Sequence, residues 1–121
     1  MPILHIHSNI PQDDTSLSEF SGKIVELLSK TLRKNSSYIQ VLYTYTKIVF
    51  GSQKGPSALV ELRAPTISQK QVDNLIPSIS KLVERYIGAP APSTYIIFQE
   101  IDRTKWVWNG RPLDVPKTKA T

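Results

Sequence analysis

Met1-Pro2-Ile3-Leu4-His5-Ile6-His7-Ser8 opens the chain, and its reading decides the fold. Residues 2 to 8 alternate, with Leu4 and Ile6 on one side and Ile3, His5 and His7 on the other. A period of two is that of a β-strand lying half-buried on a sheet. Proline fits the first position of a strand because it has no N–H to give. Pro2 also has chemical potential. A small second residue favours removal of Met1, and removal leaves Pro2 with a free secondary amine. A free α-amine titrates near ~7.7–8.0, and burial lowers that value by disfavouring the charged form. A base whose pKa lies near the working pH is the most effective one. Taken alone, Met-Pro reads as an ordinary chain start.

Outward from this strand the period changes. Asn9-Ile10-Pro11-Gln12-Asp13-Asp14 breaks the alternation. Ser16 with Glu19 has the form of a capping box. Leu17, Phe20, Ile24, Leu27, Leu28 and Leu32 follow at spacings of three and four, which predicts an amphipathic helix to about Arg33, with Asn35 as its stop. Tyr38 to Thr46 is rich in β-branched and aromatic residues and predicts a second strand. Lys47 to Gly51 is its continuation or a separate edge strand, and Ser52 to Pro56 is a turn. Then the order restarts. Ala58 to Arg63 predicts a strand, and Ala64-Pro65-Thr66-Ile67 a loop. Ser68 and Gln71 make a second capping box. Val72, Leu75, Ile76, Ile79, Leu82, Val83 and Tyr86 form a second helical stripe, which Pro77 is expected to kink or break. Gly88 to Ser93 is a loop and Tyr95 to Ile101 a strand. Trp106-Val107-Trp108 is a short final strand with Asn109-Gly110 as its turn, and Asp114 to Thr121 is a polar tail.

The two halves look alike. Ser36-Ser37-Tyr38-Ile39 and Ser93-Thr94-Tyr95-Ile96 hold equivalent places at an offset of 57. Each half, about residues 2–46 and 57–101, reads as strand, helix and parallel strand. Two β-α-β units predict an α+β fold: a four-stranded mixed sheet with both helices on one face, plus short edge strands. The chain offers no third layer for the other face, so an oligomer is the expected cover.

At 121 residues the chain is one domain by length, large enough for a real core. No apolar run reaches the ~18 residues of a membrane span and no signal peptide is evident, so a cytoplasmic protein without membrane partners is expected. The absence of cysteine excludes disulfides, thiolate catalysis and Cys-bound zinc. The net charge of +5 is spread from Lys23 to Lys119, and the longest basic run is Arg33-Lys34. Nucleic-acid binders concentrate charge on one face and add stacking aromatics. Cations that bind small carboxylates account for the charge as well, and no nucleic-acid partner is expected. His5 and His7 share one face and could begin a metal site. Zinc usually takes three or four ligands, and no third is apparent in the sequence. No metal is therefore expected, and the two histidines are read as lining the interior or edge of an oligomer.

Several stretches carry a resemblance: Met1-Pro2, Arg33-Lys34 ahead of Ser37-Tyr38-Ile39, Val49-Phe50-Gly51, Pro56-Ser57-Ala58-Leu59, Leu82-Val83-Glu84-Arg85, Tyr95-Ile96 and Trp106-Val107-Trp108-Asn109-Gly110. In this order and spacing the chain resembles the tautomerase superfamily. It is most similar to the macrophage migration inhibitory factor branch and its bacterial relatives, with 4-oxalocrotonate tautomerase as a more distant cousin. The resemblance covers residues 1 to about 113, which implies one tautomerase-like domain over 1–113 and a tail over 114–121. It also implies a homotrimer with sites between subunits at each Pro2. The implied activity is cofactor-independent keto–enol tautomerisation of a small enolisable 2-oxo acid such as phenylpyruvate.

By the same resemblance Pro2 is the general base and Lys34 binds the substrate carboxylate. Tyr95 enters the pocket from the adjacent subunit, Trp106 and Trp108 wall it, and Leu113 stands where the family often has an aromatic. Ile97 departs from the family's polar asparagine. Pro65 falls where the family offers a backbone N–H, and proline has none. Arg63, Arg103 or Arg111 would then supply the grip, since a guanidinium holds a carboxylate bidentately. Arg63 is nearest in sequence to the paired arginines of related branches and is the expected one. Ser57 and Val60 replace the Cys-x-x-Cys of the vertebrate cytokine, which excludes thiol-redox activity. Other roles stay open: Lys34 as a solvated lysine favoured by the helix dipole, Tyr95 as a strand core residue, and Glu100 as a strand-end carboxylate or a water activator. Two further functions also stay open. One is decarboxylation or hydrolytic dehalogenation, with protonated Pro2 as acid. The other is a non-enzymatic trimeric binding or signalling protein.

Overall fold

The computed structural model describes residues 1–115; most of the expected tail, residues 116–121, lies outside the described residues. In chain order the elements are β1 (Ile3–Ser8), α1 (Asp14–Leu32), β2 (Gln40–Tyr45), β3 (Ala58–Ala64), α2 (Gln69–Leu82), β4 (Thr94–Glu100), β5 (Val107–Trp108) and β6 (Arg111–Pro112). The first four strands to form the sheet lie in the order β2-β1-β3-β4. β1 runs parallel to β2 and antiparallel to β3, and β3 runs parallel to β4. This is the expected mixed sheet of two β-α-β units.

Alternation along β1 and β3 decides which face is covered. Leu4 and Ile6 of β1 and Val60 and Leu62 of β3 are buried. Phe20, Ile24, Leu28 and Leu32 of α1 and Leu75 and Ile79 of α2 pack with them into one core. The alternate residues Ile3, His5, His7, Leu59, Glu61 and Arg63 are only half-buried on the opposite face. Leu42, Tyr95 and Ile97 are exposed. No layer of this chain covers that side among the described residues.

Helix boundaries refine the sequence reading. The N-cap of α1 is Asp13, whose carboxylate accepts a 2.7 Å hydrogen bond from Ser16 N. The Ser16–Glu19 box does not cap the helix, because the upstream carboxylate satisfies the first-turn donors and Ser16 lies inside the helix. The Ser68–Gln71 box on α2 forms as expected, with both reciprocal bonds present. Pro77 does not break α2, which runs unbroken from Gln69 to Leu82. The proline is on the exposed side, while Leu75 and Ile79 on either side of it are fully buried and hold both halves of the helix to the core. A π turn over Val83–Ile87 follows and ends at Gly88.

Lys47 to Gly51 forms no sheet strand; only an isolated bridge joins Phe50 to Gln53. Asn109 (φ 52) and Gly110 (φ 75) turn β5 into β6, with both central residues in the left-handed region that a tight two-residue hairpin needs. Among the described residues no helix is long and apolar enough to cross a membrane.

Candidate active site at the N-terminus

Pro2 is fully buried at the head of β1, and its carbonyl accepts a 3.1 Å bond from Gln40 N that starts the pairing with β2. Met1 sits just outside, where two hollows meet. A groove of about 420 Å³ is lined by Met1, Ile3, Tyr38, Trp106, Val107 and Trp108, among others. A recess of about 200 Å³ is lined by Met1, Lys34, Asn35, Pro65, Arg103 and Leu113, together with Tyr38. Met1 and Tyr38 belong to both.

Local structure places each of these side chains. Arg33 takes the left-handed conformation (φ 53) and stops α1. The chain then doubles back so that Lys34 N donates to Ser29 O at 3.2 Å, while Ser29 Oγ donates to Lys34 O at 2.7 Å. This clasp fixes the backbone of Lys34 at the helix end. The side chain is half-buried, and among the described residues no carboxylate forms an ion pair with it. Asn35 then caps a 3₁₀ turn over Ser36–Tyr38 by accepting from Ser37 N at 2.9 Å. Tyr38 therefore belongs to a turn ahead of β2 rather than to the strand itself. Its ring meets Trp108 edge to face, with centroids 5.1 Å apart and planes at 79°.

The β5–β6 hairpin completes the wall. Leu113 N donates to Trp106 O at 2.9 Å, and Asp114 N to Arg103 O at 3.2 Å. The Arg103 Nε then pairs with Asp114 Oδ2 at 3.0 Å. These contacts fold residues 113–114 over the 103–106 segment and bring Arg103 beside Met1 and Lys34.

The terminal amine feels this setting. Its pKa is lowered, first by burial and then by the positive charges of Lys34 and Arg103. In this chain the amine belongs to Met1. After removal of Met1 the amine would belong to Pro2, one residue deeper in the same place.

Of the residues named from sequence, Trp106 and Trp108 line the groove and Lys34 the recess; Pro2 is buried next to Met1 and lines neither. Arg63 does not line either hollow. Its Nη2 is held by Glu61 Oε2 at 2.8 Å and its Nε by Gln99 Oε1 at 3.0 Å, on the uncovered face of the sheet. Arg103, one of three arginines considered, is the guanidinium in the recess. Nothing local in the sequence singled it out, because the hairpin that positions it is a tertiary feature. Tyr95 is 63% exposed, packs against Phe50 with ring centroids 4.9 Å apart, and lies outside the hollows of its own chain. Arg111 is exposed beside Trp108 on the hairpin. Pro65 is buried against the recess. Glu100 accepts Ile67 N at 3.0 Å, so it braces the loop after Pro65.

Two β-α-β units over one sheet, with the chain's amine in a cleft of cations and aromatic rings, define a protein of the tautomerase fold. The family model for macrophage migration inhibitory factor (MIF) matches residues 1–113, and the chain belongs to that family. Among solved structures, the MIF homologue of Prochlorococcus marinus is similar with a TM-score of 0.85 at 19% identity, covering 93% of this chain and 99% of that one. MIF of Trichinella spiralis gives 0.80 at 23%, covering 91% and 98%. A fused 4-OT, an asymmetric trimer, gives 0.81 at 14%, covering 92% and 95%. At these identities the likeness is one of fold. No curated protein sequence matches the chain.

Proposed function

We propose that the chain, once Met1 is removed, is a cofactor-independent keto–enol tautomerase of small aryl-substituted 2-oxo acids such as phenylpyruvate, with Pro2 as general base. One observation carries the reading: the terminal amine lies in a partly buried cleft beside two cations, and its pKa is lowered. A secondary amine that is neutral at working pH can take a proton from the carbon next to the carbonyl, leaving an enolate, and the protonated amine then gives that proton to the oxygen to form the enol. The proton returns to carbon in the reverse direction, so no cofactor is required. Lys34 and Arg103 bind the carboxylate and stabilise the developing enolate charge, the electrostatic work expected of preorganised cations in a site shielded from water. Tyr38, Trp106 and Trp108 offer aromatic surface to the aryl group. With Met1 retained, the Pro2 nitrogen is a tertiary amide with no basic lone pair, and the mechanism requires its removal.

The lowered pKa of the Met1 amine, carried to a Pro2 amine in the same surroundings, favours base over acid catalysis. An acid-active Pro2, as in decarboxylation or hydrolytic dehalogenation, needs a protonated amine at working pH, and burial next to two cations opposes that. The proposal includes a homotrimer. It is supported by two open sheet edges, at β2 and β4, and by the exposed Leu42, Tyr95 and Ile97 on the uncovered face. Tyr95 then enters the cleft of a neighbouring subunit.

Ketonisation of the enol of phenylpyruvate tests the function, on protein whose N-terminus has been read by intact mass. Turnover by the Met1-free protein, absent from Pro2→Ala and from a form retaining Met1, is the expected result. Equal turnover in all three forms would exclude Pro2 as the base.

A further inference from the structure

His5, His7 and Glu61 hold their donor atoms within 4.8 Å of one another on the uncovered face of the sheet. None of the three lines the N-terminal cleft. We propose that they form a binding site for a divalent transition ion of the zinc type, with two imidazole nitrogens and one carboxylate oxygen as its protein ligands.

The frame is two paired strands. Residues two apart on a strand share a face, which puts His5 and His7 side by side; their rings stack with centroids 3.9 Å apart. The antiparallel register sets Glu61 of β3 directly opposite His5. The sequence offered two ligands, and this register supplies the third. His7 Nε2 already lies 2.8 Å from Glu61 Oε1. An ion would join the same two atoms in place of the proton they share.

Outer contacts prepare the remaining donors. Thr44 Oγ1 lies 2.7 Å from His5 Nε2, which leaves Nδ1 of that ring for a ligand. Arg63 Nη2 holds Glu61 Oε2 at 2.8 Å, and its Nε is held by Gln99, so Oε1 is the oxygen turned to His7. Partners of this kind set the tautomer and orientation of metal ligands. Tetrahedral bonds of about 2.0–2.1 Å place donor atoms roughly 3.3 Å apart. The His7–Glu61 pair has to open by about half an ångström, and the widest pair of the set to close by at most about 1.5 Å. Side-chain rotations on a fixed two-strand frame supply both movements. Nitrogen-rich donors select zinc, cobalt, nickel or copper over calcium and magnesium, which take oxygen ligands.

The chain suits a direct test, since it has two histidines and no cysteine to compete. Tag-free protein is dialysed to equilibrium against zinc at neutral pH, and the bound metal is measured by elemental analysis. Saturable binding of about one ion per chain is expected. Glu61→Gln and His7→Ala should each weaken it by more than the roughly tenfold loss of an outer-contact change such as Thr44→Val. Circular dichroism confirms that each variant is folded, and the near-isosteric Glu61→Gln keeps the test decisive if His7→Ala is not. Zinc binding that is unchanged in Glu61→Gln, or no tighter than in the His5→Ala, His7→Ala double variant, would overturn the proposal.

Discussion

Replacing Lys34 with methionine keeps the apolar stem and removes one positive charge from the recess. Lys34 is half-buried, its backbone is clasped by Ser29, and no carboxylate of the described residues pairs with it. A hydrogen bond to a charged group contributes about 1.5–3 kcal/mol. Arg103 replaces only part of this, because Asp114 already engages its Nε at 3.0 Å. The expected loss in kcat/KM is therefore about 10- to 150-fold, most of it in KM. A second effect runs through the amine. For the Met1 amine, Lys34 is the next cause after burial of a lowered pKa, an effect carried over here to the Pro2 amine. Without that cation the protonated, inactive form gains ground at any given pH, so the acid limb of the kcat/KM profile moves to higher pH. Initial rates of phenylenolpyruvate ketonisation, followed by absorbance across the pH range, report both effects. An unchanged kcat/KM, or an acid limb displaced to lower pH, would refute the placement of Lys34 beside a catalytic amine.

Other predictions follow from the same geometry. Trp108→Ala removes the edge-to-face contact with Tyr38, worth about 0.5–1.5 kcal/mol; KM for an aryl substrate should rise while that for pyruvate enol barely changes. Ser29→Ala removes the hydroxyl that holds the Lys34 carbonyl; a loss of about 1 kcal/mol in denaturant unfolding is expected, together with lower kcat/KM from a less well-placed lysine. Phe20→Ala opens a hole where the side chain is fully buried and should destabilise by about 3–5 kcal/mol, read from the denaturant midpoint. If Tyr95 acts in a neighbour's cleft, mixing Pro2→Ala subunits with Tyr95→Ala subunits should restore activity that neither variant has alone. Failure to complement in exchanged oligomers would place Tyr95 outside the site.

Much of the fold was legible because β1 and both helices are half-buried elements, whose periods of two and 3.6 show directly in the sequence. The first turn of α1 was less so: Asp13 and Ser16 can both accept an N-terminal N–H, and periodicity does not choose between them. Pro77 is ambiguous for the opposite reason, since local chemistry allows a kink or a break, and the helix continues through it with Leu75 and Ile79 buried on either side. Lys47 to Gly51 has strand composition but no partner strand among the described residues, and Val49 is left 88% exposed. In the cleft, Lys34 was marked by its match to the family's carboxylate-binding lysine at the end of the predicted helix. Tyr38 was visible as part of the internal repeat, but its turn was read as strand. Arg103 was hidden because residues far along the chain carry it there. Sequence proximity favoured Arg63, yet the alternation of β3 turns that side chain to the uncovered face, beside Glu61. Glu61 itself could not be joined to His5 and His7 without the β1–β3 register, which composition does not set.

The most direct test of the central claim is an NMR titration of the Pro2 amine nitrogen in isotope-labelled, Met1-free protein, set beside the pH dependence of kcat/KM. The account predicts a pKa below the ~7.7–8.0 of a free α-amine, coincident with the acid limb of activity, with both features absent when Met1 is retained. An amine that titrates at or above that range, or activity indifferent to its protonation, would contradict the assignment of Pro2 as the base.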